Sequence, residues 1–144
     1  RGAGDTAAAG QAADRAVEQL RAEARVIIVE IHGEATSEKR ALGWHLDGRV
    51  SGLFGTHTHV ATADEEVLPG GTGYITDIGM TGPYDSVIGM RKKDMIQRFR
   101  TLRPVPFNVA SRDVRLCGAI FDIDDSTGKA RAVTRVREPL TDRE

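Results

Sequence analysis

Apolar residues recur along this chain in short runs, and their spacing predicts alternating helices and strands. Over 12–24, Ala13, Val17 and Leu20 fall at helical spacing with Arg and Glu on the other side, which predicts a short amphipathic helix. Residues 1–11 (RGAGDTAAAGQ) carry no core pattern and read as a ragged lead-in to a domain spanning 12–144. Val26 to His32 is a continuous β-branched run, the pattern of a strand covered on both faces. Thr36 or Ser37 is placed to cap a helix with Glu38 in its first turn; this helix is expected to reach about Asp47 and stop at Gly48.

Val50 to Phe54 predicts a second strand that leads directly into Gly55-Thr56-His57-Thr58-His59. A turn-rich stretch, Leu68 to Gly73, precedes a strand candidate at Tyr74 to Ile78. Between about Asp85 and Thr101 a helix is expected, with Ile88, Met95, Phe99 and Leu102 on one face and Pro104 and Pro106 ending it. The remainder reads as strands over 107–110, 114–123 and 130–137, the last two joined by a turn from Asp124 to Lys129. The order predicts an α+β domain: one α/β layer unit finished by antiparallel strands.

Composition narrows the class without naming a chemistry. A chain of 144 residues with 40% hydrophobic and 28% charged positions is that of one globular domain. A net charge of −1 gives no general attraction to a nucleic-acid duplex or an anionic membrane. No apolar run approaches the roughly 20 residues that span a bilayer. A single cysteine, Cys117, excludes an internal disulfide and fits a reducing compartment, so a cytoplasmic location is expected. The chain opens on Arg1 rather than Met, so it is expected to be a fragment or a processed product whose site is incomplete.

The candidate chemistry lies in the histidines. Two strands joined by one helix run parallel with a right-handed crossover, which brings their C-terminal ends to one sheet edge. His32 ends the first strand, and His57 and His59 follow the second. Ligand sites of open α/β sheets form at this edge, and neutral imidazole is the commonest metal ligand. His57 and His59, two apart in an extended segment, would point to one side. Gly33, Gly55, Thr56 and Thr58 leave room for a close approach. Glu30 and Glu34 are candidate ligands or partners that hold a histidine tautomer, Glu34 the better of the two for that second role. His45, about eight residues into the crossover helix, should lie roughly 12 Å from the cluster and is excluded from it.

Other features read as ordinary structure. Leu68 to Gly73 offers backbone N–H groups to a phosphate, but an ordinary turn explains it better. Arg91, Lys92, Lys93, Arg98, Arg100 and Arg103 read as the solvated face of a helix. Arg131, Arg135 and Arg137 share a strand face without the interleaved aromatics of a nucleic-acid surface. Cys117, in an apolar strand, reads as buried packing.

The runs His32-Gly33-Glu34-Ala35-Thr36-Ser37-Glu38-Lys39, Leu46-Asp47-Gly48-Arg49-Val50-Ser51, Gly55 to Glu65, Leu68 to Thr72 and Ile75 to Met90 resemble the calcineurin-like metallophosphoesterases. More narrowly, they resemble the bacterial branch of 2′,3′-cyclic-nucleotide 2′-phosphodiesterases. The likeness runs from about Ala12 to Arg137. It implies the C-terminal half of a four-layer α-β-β-α sandwich with two divalent metal ions, iron or manganese, that activate water against a small phosphodiester. In that family His32 and His57 would hold one metal and His59 the other. The family's first half supplies an aspartate, a bridging carboxylate, an asparagine ligand and a histidine acting on the leaving group; none of these motifs occurs here. Glu30 stands where the family would have an aspartate, and His45 where it would have an aromatic. No catalytic acid is therefore assigned within this chain.

The resulting expectation is a metal-dependent phosphodiesterase acting on cyclic nucleotides or similar small phosphodiesters, incomplete and inactive or very weak as this chain alone. It would need a missing N-terminal half, whose loss would leave apolar surface open to homo-oligomerisation. Two rivals stand beside it. An amidohydrolase also uses an H-x-H, but on the first of many βα units that this chain lacks. The other rival is a non-enzymatic domain that binds a partner or acts as a scaffold.

Overall fold

The structure, a computed structural model, describes residues 3–141, with the side chains of residues 3–7 left aside. The elements follow as α1 (Ala3–Leu20), β1 (Ile28–His32), α2 (Thr36–Leu46), β2 (Gly52–Thr56), β3 (Glu66–Val67), β4 (Gly73–Ile75), β5 (Gly82–Pro83), α3 (Lys92–Thr101), β6 (Val114–Ile123) and β7 (Ala130–Pro139). One sheet has the order β1-β2-β4-β3, with β1, β2 and β4 parallel and β3 antiparallel to β4. A second, antiparallel sheet has the order β5-β6-β7.

Alternation along each strand of the first sheet separates two packing faces. Val29, Ile31, Leu53 and Tyr74 meet Val17 of α1 and Leu42 and Leu46 of α2, forming the main apolar cluster. The opposite face meets the second sheet, and there Gly52 and Gly73 make room for the Phe121 ring. A Cβ at Gly52 or Gly73 would lie 2.8 Å or 2.7 Å from Phe121 Cδ1. The layers are thus helix, sheet, sheet, the mixed α+β architecture expected of one side of an α-β-β-α sandwich. No helix among the described residues is long and apolar enough to cross a membrane.

Several local expectations change. Helix α1 begins at Ala3, so residues 3–11 are helical although they lack a core pattern; Ala8, Ala9 and Gln11 are exposed. Ala35, rather than Thr36 or Ser37, is the N-cap of α2, and no side chain caps it. Gly48 ends that helix with φ 74°, a backbone conformation that glycine adopts freely. The β-branched run of β1 is only partly covered on its second face: Ile28 is 44% exposed, because β1 is an edge strand and Ile28 meets only the margin of the second sheet, its Cδ1 beside the Phe121 ring above Gly52. Residues 107–110 form no strand; only Val109 bridges to Met90.

The largest departure concerns α3. Residues 85–91 do not join it, because Val87 and Met90 bridge each other in a tight turn and Arg91 N–H donates to Asn108 O. Of the apolar face expected there, only Met95 is buried, while Phe99 is 73% and Leu102 88% exposed. Helical spacing is present, but no element packs against most of that face.

The turn from Asp124 to Lys129 forms as expected, with Gly128 at φ 73°. The Asp124 carboxylate accepts from Ser126 N–H and Oγ–H and from Arg131. The Ser126 hydroxyl first, then Arg131, hold this carboxyl well below the usual carboxylate range. Asp64 is also lowered: burial pushes it up, but the Thr62 and Thr76 hydrogen bonds outweigh that. A carboxyl depressed in the folded state contributes stability above its unfolded pKa and loses it as pH falls through the folded value. The melting temperature is therefore expected to be level down to about pH 5 and to fall steadily below that, as read by circular dichroism.

Candidate functional site

The parallel register pairs His32 with Thr56 and Glu30 with Phe54, so Glu30, His32 and Thr56 occupy one face of β1 and β2 at their C-terminal edge. Thr56 donates its single hydroxyl proton to Glu30 Oε1 at 2.7 Å. Its oxygen can then only accept from the His32 ring, whose Nδ1 lies 2.9 Å away. His32 Nδ1 accordingly carries hydrogen, and in the neutral ring Nε2 presents its lone pair. That Nε2 lies 3.0 Å from His57 Nδ1, with the two rings edge to face. On its other side, His57 Nε2 is 3.1 Å from Glu34 Oε2. A polar chain thus runs Glu30, Thr56, His32, His57, Glu34 across the sheet edge.

Four residues named from the sequence are brought together: His32, His57, Glu34 and Glu30. His59 stands apart in its contacts, its Nδ1 3.1 Å from the Ile88 carbonyl. His45 is outside the cluster as expected, bound instead to Asp14 at 2.7 Å. Among the described residues no three His, Cys, Asp or Glu side chains converge as a ready metal cage. The reason is visible at His57, whose two nitrogens point in opposite directions, one to His32 and one to Glu34.

Thr56, which from the sequence only leaves room beside the histidines, takes part through its hydroxyl, and Lys39 and Asp77 join the site without any sequence signal. Lys39 Nζ donates to Asp77 Oδ2 at 2.8 Å and to Thr56 O at 2.7 Å, and both side chains of the pair are essentially fully buried. Asp77 also accepts from Thr58 N–H and Gly79 N–H. Burial pushes its carboxyl up, yet the bonds from Lys39, Gly79 and Thr58 together hold it below the usual carboxylate range. Register alone could have pointed to Thr56, which lies opposite His32; nothing local distinguishes Lys39 from the exposed lysines.

Other candidates resolve as structure. The Gly70 and Thr72 N–H groups of the 68–73 turn donate to the Asp47 carboxylate, so that turn is tied internally. Arg131 pairs with Asp122 and Asp124, Arg135 with Glu65, and Arg137 lies over Tyr84. A groove of about 660 Å³ between α1, β1 and α2 opens beside His32 and Glu34, with Asp14, Ile31 and Leu42 in its walls.

The tautomer assignment is testable. Thr56→Val keeps the shape and removes the hydroxyl, so His32 Nδ1 should lose its acceptor. Ring nitrogen NMR shifts are expected to show a mixture of His32 tautomers in the variant and one tautomer in the parent chain.

The chain is 51% identical over 124 residues to the 2′,3′-cyclic-nucleotide 2′-phosphodiesterase of Bacillus subtilis, a match covering 86% of the chain and 47% of that protein. It is 41% identical to a putative phosphatase/phosphodiesterase of Mycoplasma pneumoniae, covering 76% of the chain and 40% of the relative. Among solved structures, a novel phosphatase from Mycoplasma pneumoniae superposes with a TM-score of 0.83 at 36% identity, over 90% of this chain and 46% of that one. A hypothetical protein of Thermus thermophilus superposes at 0.79 with 41% identity, over 92% and 51%. The chain therefore spans about half the length of these relatives.

Fold and likeness together define the class: the chain has the metallophosphoesterase type of fold. The chain belongs to the YmdB-like protein family, whose pattern matches residues 5–136.

Proposed function

We propose that this chain supplies the histidine side of a two-metal phosphodiesterase site acting on small phosphodiesters of the cyclic-nucleotide type. The observation that carries the reading is the pairing of His32 Nε2 with His57 Nδ1 at 3.0 Å on the sheet edge where such sites form. Two nitrogens each about 2.0–2.1 Å from one ion and at right angles to each other lie about 3 Å apart, so this pair fits a shared cation. His32 and His57 would hold one ion, and His59, two residues on and directed elsewhere, would serve the other. Imidazole donors suit iron among the transition metals, whereas manganese favours oxygen donors and would draw more on carboxylates from elsewhere.

When bound, the ions would polarise the phosphate and lower the pKa of an attacking water. The chain's own residues do the rest of what it offers. Thr56 and Glu30 fix the His32 tautomer so that Nε2 faces the shared position. Glu34 lies against His57 Nε2 and restrains that ring. The donor set here is rich in imidazole and poor in converging carboxylate, which supports completion by a second polypeptide region corresponding to the part of the relatives beyond the match. The open edge of β1, with Ile28 exposed, is where such a region would add its own backbone.

The test is phosphodiesterase activity on bis-p-nitrophenyl phosphate and 2′,3′-cyclic AMP with manganese. The chain is assayed alone and mixed with the complementary half of a relative. Activity in the mixture and little in the chain alone is the expected result. No activity in the mixture, with no metal retained, would favour the partner-binding reading instead.

A further inference from the structure

His57 holds φ 101°, a backbone conformation that costs an L-residue of order 1–3 kcal/mol and persists only where its surroundings impose it. The surroundings that impose it are specific. The carbonyl of Thr56, immediately before His57, accepts from Lys39 Nζ at 2.7 Å. The N–H of Thr58, immediately after it, donates to Asp77 Oδ2 at 3.2 Å. Lys39 and Asp77 bind each other at 2.8 Å, and Gly79 N–H holds the second Asp77 oxygen at 2.9 Å. A buried ion pair therefore grips the backbone on both sides of His57, whose ring lies between the His32 and Glu34 side chains.

The packing keeps a path open for this grip. A Cβ on Gly55 would lie 2.8 Å from Lys39 Cδ and 1.8 Å from Thr76 O, so only glycine lets the lysine stem and the β4 end come together there. Lys39 is 1% and Asp77 0% exposed. Taking two charges that far from water is costly, and a well-packed apolar pair of similar volume often serves stability as well. Stability alone thus does not account for the pair, whereas its two contacts flanking His57 do.

We propose that Lys39 and Asp77 are positioning residues that clamp the backbone on either side of His57 and so aim its ring at the position shared with His32. The inference rests on the reading of His32 and His57 as metal donors. Neither residue of the clamp touches the site itself; each acts through the peptide groups of residues 56 and 58.

The experiment compares Lys39→Met with Leu68→Ala in the full chain. Leu68 is buried in the β3–β4 turn and makes no contact with Lys39 or Asp77 in the hydrogen-bond network, so its truncation supplies a destabilised control. Cobalt(II) affinity is read by calorimetry and visible absorption, Thr58 amide exchange by deuterium labelling, and His32–His57 ring proximity by NMR. In Lys39→Met, cobalt affinity is expected to fall about 10–100-fold, as for other residues that orient ligands. Thr58 exchange should accelerate and the ring contact weaken, while Leu68→Ala retains all three parent values. Should Lys39→Met fail to fold, the double variant Lys39→Met with Asp77→Asn removes both charges together and carries the same readouts.

Unchanged cobalt affinity, exchange and ring contact in a folded clamp variant would overturn the proposal, as would equal losses in Leu68→Ala. If His57→Ala leaves cobalt affinity untouched, the metal-donor reading fails instead; the exchange and ring-contact measurements then still decide whether the clamp exists.

Discussion

Alanine at position 57 is expected to reduce manganese-dependent hydrolysis of bis-p-nitrophenyl phosphate at least about a hundredfold once the chain is combined with its complementary half. Metal activation of a phosphoryl group contributes several kcal/mol to the transition state, and each 1.4 kcal/mol corresponds to about a factor of ten in rate. The His57 ring lies between His32 and Glu34, within hydrogen-bonding distance of both side chains, so on the proposed reading its removal takes away one metal donor and the link between those two residues. His45→Ala is the matched control. That imidazole binds Asp14 on the α1 side, and its loss should leave the rate within about twofold. A His57→Ala enzyme with parental activity would remove His57 from the metal site, and a crippled His45→Ala enzyme would show that the site reaches into the groove between α1 and α2.

Tyr74→Ala should produce the largest loss of stability, about 3–5 kcal/mol, read from urea unfolding of the chain. Tyr74 is fully buried in β4, and its ring packs where a Cβ on Gly43 of α2 would stand, at 2.5 Å from Tyr74 Cε2. Arg40 lies over the same ring with its guanidinium carbon 4.8 Å from the centroid. The hydroxyl is paired with Thr76 Oγ1 at 3.0 Å, and Thr76 in turn binds Asp64. Burial raises the Tyr74 pKa, so the phenol stays neutral in this setting. Tyr74→Phe keeps the ring and removes only the hydroxyl, which should cost about 1 kcal/mol. A Tyr74→Ala loss no larger than that of Tyr74→Phe would show that the ring does not lock α2 onto the sheet. That lock matters to the site because α2 carries Lys39.

Local signals marked much of this architecture. The β-branched run before His32, the Gly48 stop and the Asp124–Lys129 turn each act over a few residues, and β1, α2 and the β6–β7 hairpin appear close to where those signals place them. Where a conclusion depended on what lay opposite, the pattern misled. The apolar run of β1 looks two-sided because hydrophobicity says nothing about which neighbours arrive. Ile88, Phe99 and Leu102 have helical spacing with Met95, but a bridge between Val87 and Met90 delays the helix and only Met95 finds a core.

By itself, the sequence determined that two strands joined by α2 would carry His32 and His57 to a common edge, because parallel crossover geometry leaves little freedom in where strand ends fall. The histidine spacing and family likeness followed from adjacent residues and needed no coordinates. Only the tertiary structure decided how those rings are held. Glu30 reaches Thr56 across strand register, Glu34 reaches His57 across the same edge, and Lys39 meets Asp77 from 38 positions away. These are pairwise contacts between distant segments, set by packing and by the need to satisfy buried charge, and no periodicity within one segment contains them.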